Sequence, residues 1–109
     1  MAKPRFAYLL LKEHPYGREM LKQLLSEDFV PEIIIEEDSK IADEERVKFL
    51  NRIEGNPIAP TIKQQAVENG IKVVSVKIHN SEEVMPLIQN YELDLIVFGG
   101  TRIIRGVIL

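Results

Sequence analysis

The stretch LDLIVFGGTRIIRGVIL, Leu93–Leu109, decides how this chain folds. Leu93, Leu95, Ile96, Val97 and Phe98 are apolar, interrupted only by Asp94, and Gly99–Gly100 comes next. Short β-branched or aromatic runs bounded by glycine or charge are strand signals. A strand apolar at consecutive rather than alternate positions is covered on both faces, as the strands of parallel sheets are. Leu93–Phe98 is therefore expected to be a parallel strand whose carboxyl end opens into a turn. So core-like a segment at the end of the chain raises a further expectation: residues beyond Leu109, or a partner, cover it.

Three other runs read the same way: Phe6–Leu11 (FAYLLL), the IIIEE after Pro31 and Glu32, and Ile71–Val76 (IKVVSV). Between them the spacing is helical. YGREMLKQLLSEDF sets Met20, Leu21, Leu24 and Leu25 on one face, with a helix beginning near Gly17. SKIADEERVKFLNRI carries a looser stripe of Ile41, Val47, Phe49, Leu50 and Ile53, and its ADEERVK is a solvated face. TIKQQAVENG ends at Gly70, a natural left-handed stop. In NSEEVMPLIQNY, Asn80 and Glu83 form a capping box, but Pro86 requires the helix to start later or to kink. EGNPIAP, Glu54–Pro60, is a loop. In EEDS, Glu36–Ser39, either Asp38 or Ser39 can cap the next helix, and the spacing demands no metal.

Strands alternating with helices imply an α/β, Rossmann-like open parallel sheet with helices on both faces. Right-handed crossovers leave few topologies, and the commonest orders four strands 3-2-1-4. The loops after strands one and four, KEHPYGRE and GGTRIIR, then lie side by side at the switch point, where open α/β sheets bind ligands. In that order the fourth strand is an apolar open edge, which invites pairing with another chain. A homodimer through this edge, or pairing with a missing catalytic half, would cover it.

Composition narrows the function classes. The 109 residues make one domain, 1–109. A net charge of -3 argues against a nucleic-acid-binding module, which would show a clustered basic face. Without cysteine there is neither a disulfide framework nor thiolate chemistry, and a cytoplasmic location is the expectation. FAYLLL comes after basic residues but is too short for a signal peptide or a membrane span.

On these residues the chain resembles the folate-dependent formyltransferases. YELDLIVFGGTRIIRGVIL is similar to the segment before that family's catalytic motif, in which a strand runs into a small-residue turn and an Arg-Ile-Leu-like piece. IAPTIKQQAVENGIKVVSV is similar to the family's succession of helix, Gly-Ile turn and third strand, and EIIIEEDS to its second strand. The resemblance spans essentially the whole chain but only the amino-terminal half of a formyltransferase domain. It implies transfer of a formyl group from 10-formyltetrahydrofolate to an amine. The amine attacks the formyl carbon, placed donors stabilise the tetrahedral oxyanion, and a general base takes the amine proton.

In the family an Asn, a His and an Asp supply those roles, all beyond the segment covered here. The resemblance thus implies no catalytic residue among 1–109 and no activity of this chain alone. It implies that the backbone around Thr101, Arg102, Ile103 and Ile104 lines the pterin pocket, with Gly99 and Gly100 allowing close approach. The first loop, with Lys12, His14, Tyr16, Gly17 and Arg18, would face the amine substrate. A helix starting there points N–H groups and a positive dipole end at a phosphate or carboxylate, and Lys12, His14 and Arg18 add charge. The absence of GxGxxG argues against a dinucleotide. The loop is closer to the Gly-x-x-x-Leu of sugar-nucleotide formyltransferases than to the Gly-Thr-Pro of methionyl-tRNA or the Gly-Ser-Asn of glycinamide ribonucleotide enzymes. The acceptor amine stays open, with tRNA among the candidates. The rival reading is a stand-alone α/β module that binds a small anion or a protein, or self-associates through its apolar edge.

Overall fold

The computed structural model describes residues 4–52, 58–77, 86, 89, 91 and 93–99. Its elements are β1 (Phe6–Leu11), α1 (Pro15–Ser26), β2 (Ile33–Glu37), α2 (Lys40–Arg52), α3 (Ile62–Asn69), β3 (Lys72–Val76) and β4 (Leu95–Phe98). The four strands form one all-parallel sheet in the order β3-β2-β1-β4, a Rossmann-like α/β arrangement.

Two-sided burial explains why β1 occupies the centre. All six of its residues are buried, and alternate side chains feed different cores. Phe6, Tyr8 and Leu10 join Ile34 of β2, Leu21 of α1, and Ile62 and Ala66 of α3. Ala7 and Leu9 join Ile33, Ile35 and Val76 on the opposite face, where Tyr91 and Leu93 pack against them. Each fully buried Leu, Ile or Phe contributes about 1.5–3 kcal/mol, so this doubly covered strand anchors the sheet. The helix expected over NSEEVMPLIQNY lies mostly outside the described residues, although Pro86 and Gln89 have helical backbone.

Several boundaries shift from expectation for local reasons. β3 begins at Lys72 and β4 at Leu95, one and two residues later than their apolar runs. Asp94 sets the second shift. Its carboxylate accepts the Arg5 N–H at 2.8 Å, and the Asp94 and Leu95 N–H groups donate to the Arg5 carbonyl at 2.7 and 3.3 Å. α1 begins at Pro15 rather than near Gly17. Proline suits the first helical position because its missing N–H would have no partner there. Val47 does not belong to the buried stripe expected of α2, being 52% exposed, whereas Phe49 and Leu50 are half-buried. Ser39 caps α2: its Oγ accepts from the Ala42 N–H at 3.1 Å and donates to Glu37 Oε2 at 2.7 Å. Gly70 ends α3 with φ 65° and ψ 34°, and the Ile71 N–H closes the turn on the Ala66 carbonyl at 2.9 Å.

The carboxyl ends of β1 and β4 meet around the Tyr8 side chain. Its hydroxyl donates to the Gly17 carbonyl at 2.7 Å, and burial raises the phenol pKa well above its ordinary value. Both neighbouring glycines are required by contact. A Cβ on Gly17 would sit 2.5 Å from Leu10 Cδ1 and 2.8 Å from the Gly99 carbonyl oxygen. A Cβ on Gly99 would fall on the Tyr8 hydroxyl. Gly99→Ala should therefore destabilise the fold by about 1–3 kcal/mol, the range for overpacking a filled site. Tyr8→Phe in the same background should rescue it only in part, because the ring carbon Cζ also lies in the way. Chemical denaturation of the two single variants and the double variant reads both effects.

Candidate functional site

The first loop and the exit of β4 come together as the topology requires. Gly99 donates its N–H to the Leu9 carbonyl at 2.8 Å, and its own carbonyl faces the first turn of α1. Of the residues expected to line a pterin pocket, Gly99 is placed at this junction, buried against Tyr8. Gly100, Thr101, Arg102, Ile103 and Ile104 lie outside the described residues. The group that approaches Gly99 closely is the protein's own phenol.

The first loop is a joint tied to its surroundings. His14 is 3% exposed, and its Nδ1 accepts the Tyr16 N–H at 3.1 Å, so the imidazole caps α1 in its neutral Nε2–H form. The Phe49 ring of α2 lies 4.7 Å from both the His14 and the Tyr16 rings, and the Arg52 guanidinium sits 4.9 Å from the Phe49 centroid. Desolvation lowers the His14 pKa; the Glu45 carboxylate opposes this and the Arg18 guanidinium adds to it. His14 thus stands in this loop as a neutral helix cap.

The two cations have intramolecular partners. Lys12 Nζ lies 3.2 Å from Asp38 Oδ2. Arg18 Nε donates to the Glu13 carbonyl at 2.9 Å and stands 3.2 Å from Glu13 Oε1. Gly17 is wedged between Leu10 and the Gly99 carbonyl. Tyr16 is 55% exposed and lines a cavity of about 480 Å³ on the outer side of α1, with Pro15, Glu19, Lys22, Ile58, Ala59 and Pro60. Lys12 lines a second cavity, above β2 and β3.

Glu13, absent from the expected site, does the most to organise this region. Its carboxylate accepts the Ile62 N–H at 2.7 Å and the Lys63 N–H at 3.2 Å, supplying a negative charge to the amino terminus of α3. It holds a left-handed backbone, φ 51°, which a non-glycine residue adopts only against a steric cost. Gln65 reinforces the joint from α3, donating through Nε2 to the Arg18 and Pro60 carbonyls at 3.1 and 2.8 Å. No local pattern marks such a cap, because donor and acceptor are 49 residues apart. Glu36 is a second residue absent from the expected site; the alternation of β2 places it on the same sheet face as Ile34, a signal present in the sequence.

No family model matches the chain, and neither a curated protein nor a solved structure does.

The joint has two measurable consequences. Because the folded state holds the His14 pKa below 6.5, the unfolded chain binds more protons as pH falls through that value. The His14 contribution to stability is therefore complete above about pH 6.5 and lost on acidification. Thermal melts across this range should show a shallower pH dependence in His14→Asn, which keeps a capping acceptor but does not titrate. Glu13→Ala should cost about 1–3 kcal/mol in denaturant unfolding, since it strips partners from two helix N–H groups and from Arg18.

Proposed function

We propose that this chain is the nucleotide-fold half of a folate-dependent formyltransferase-like protein. In its complete form that protein transfers a formyl group from 10-formyltetrahydrofolate to an amine. The reading rests on the motif resemblance of residues 91–109. It is supported by one structural observation: β4 lies beside β1, so that Gly99 leads out at the switch point next to the first loop. Under this reading Gly99–Ile104 supply the backbone wall of the pterin pocket, and the first loop, Lys12 to Arg18, is on the side of the amine substrate. The Asn, His and Asp that perform the chemistry belong to the other half of the domain. His14 is no substitute for them, being buried with its Nδ1 occupied.

The test is calorimetric and kinetic. Titration of 5-formyltetrahydrofolate into the protein extended beyond Leu109 should give saturable heat, and 10-formyltetrahydrofolate with an acceptor amine should turn over. Residues 1–109 alone should show no formyl transfer. Absence of folate binding by the extended protein would overturn the assignment, and turnover by 1–109 alone would overturn the placement of the catalytic groups.

A second reading has its own observation. Leu95 and Phe98 are 43% and 39% exposed, and β4 pairs with β1 alone among the described residues. An apolar edge strand of this kind supports self-association. A single monomeric species in sedimentation at high concentration would exclude it.

A further inference from the structure

On the sheet face that carries α1 and α3, the register row Tyr8–Ile34–Val73 is succeeded by the row Leu10–Glu36–Ser75. The chemistry changes between these rows, from a packed core to a carboxylate beside a hydroxyl. Glu36 is only 8% exposed. Its Oε1 accepts the Ser75 hydroxyl at 2.7 Å, and its Oε2 has no hydrogen-bond partner among the described residues. A carboxylate removed from water with one oxygen unsatisfied is costly. Here it lines a cavity of about 430 Å³, within the rough range of 300–1,000 Å³ typical of small-molecule sites.

The remaining walls of that cavity define what fits. Ala66 and Val67 of α3, with Ile71 and Val73, give one aliphatic side. Lys12 and Lys63 contribute cations, and Glu13 contributes a second carboxylate, already engaged by the Ile62 and Lys63 N–H groups and by Arg18. Lys12 is shared with Asp38, whereas Lys63 makes no ion pair among the described residues. An ionised carboxylate only accepts, so the ligand group that reaches Glu36 must donate. The Ser75 proton is committed to Glu36, which leaves the Ser75 oxygen as a second, adjacent acceptor. Two neighbouring acceptors match the two hydroxyls of a vicinal diol. A bare ammonium group would also satisfy Glu36, but the other carboxylate of the lining, Glu13, is taken up by the α3 N–H groups and Arg18. The charge left to be matched beside Glu36 is that of Lys63, which favours a ligand carrying an anionic group.

We propose that this cavity binds a phosphorylated ribose unit. The ribose hydroxyls donate to Glu36 Oε2 and the Ser75 oxygen, and the phosphate pairs with Lys63 and Lys12. In a nucleotide, the base lies along Ala66, Val67, Ile71 and Val73. The site shares only Lys12 with the residues assigned to formyl transfer, and it stands whether or not that reading does.

Calorimetry with the 109-residue chain tests this, using AMP, ribose 5-phosphate and 2′,3′-dideoxy-AMP as probes. AMP should bind saturably and the dideoxy compound much more weakly. AMP tighter than ribose 5-phosphate identifies a nucleotide as the ligand, and equal affinities identify a free sugar phosphate; both support the site. Lys63→Glu reverses an exposed charge while leaving the backbone N–H on Glu13, so the helix stays capped. It should weaken AMP about ten-fold or more, the scale of one charge-assisted contact. Glu36→Gln should narrow the gap between AMP and its dideoxy analogue, with thermal melts showing that both variants fold. No saturable heat with AMP at millimolar concentration would overturn the proposal. So would equal affinity for AMP and the dideoxy compound, or AMP binding unchanged by Lys63→Glu.

Discussion

The hydrogen bond from the Tyr8 hydroxyl to the Gly17 carbonyl fixes the geometry on which the rest of the molecule depends. A phenol at the centre of the most buried strand must find an acceptor or carry an uncompensated desolvation cost. It finds one on the first turn of α1, and burial keeps it in the protonated form that can donate. Neither Gly17 nor Gly99 has room for a side chain: the Tyr8 ring fills the space at Gly99, and Leu10 and the Gly99 carbonyl fill it at Gly17. Position, orientation and spacing of the switch point thus arise from one buried polar atom and two missing methyl groups.

Around that centre the charged groups are arranged in pairs rather than left facing a crevice. Arg18 and Glu13 hold each other, Lys12 meets Asp38, and His14 caps α1 as a neutral ring. The first loop consequently serves as a mechanical link between α1, α2 and α3. Under the proposed formyl transfer, it would contribute shape and position to the acceptor side, and the reacting groups would come from the other half of the domain. The open chemistry among the described residues lies further along the sheet, at Glu36 and Lys63.

Much of the architecture was legible in the sequence because it derives from two-faced burial. FAYLLL and IIIEE are strands with the bounds their apolar runs suggest, and adjacency of β1 and β4 is a property of the 3-2-1-4 order. Ser39 and Gly70 act as caps for reasons visible in their residue types. The start of α1 was harder to read, since histidine is not among the preferred capping residues and Pro15 is informative only once His14 is known to cap. The role of Glu13 was not legible, as its partners are on another helix. The glycines show a subtler limit. Residue types alone suggest that something crowds Gly99, but they cannot distinguish a ligand from a tyrosine of the chain's own first strand.

The register of β4 has a consequence for how the molecule is assembled. Arg5 and Asp94 are 89 positions apart, whereas β2 can dock on β1 as soon as α1 is made. Closing the longer loop costs more chain entropy, and such distant pairings slow folding. During synthesis β1 therefore presents one unsatisfied edge, with Tyr8 uncovered on the Gly99 side, until residues 94–99 have emerged. The nascent protein spends that interval with its most apolar strand open to wrong partners.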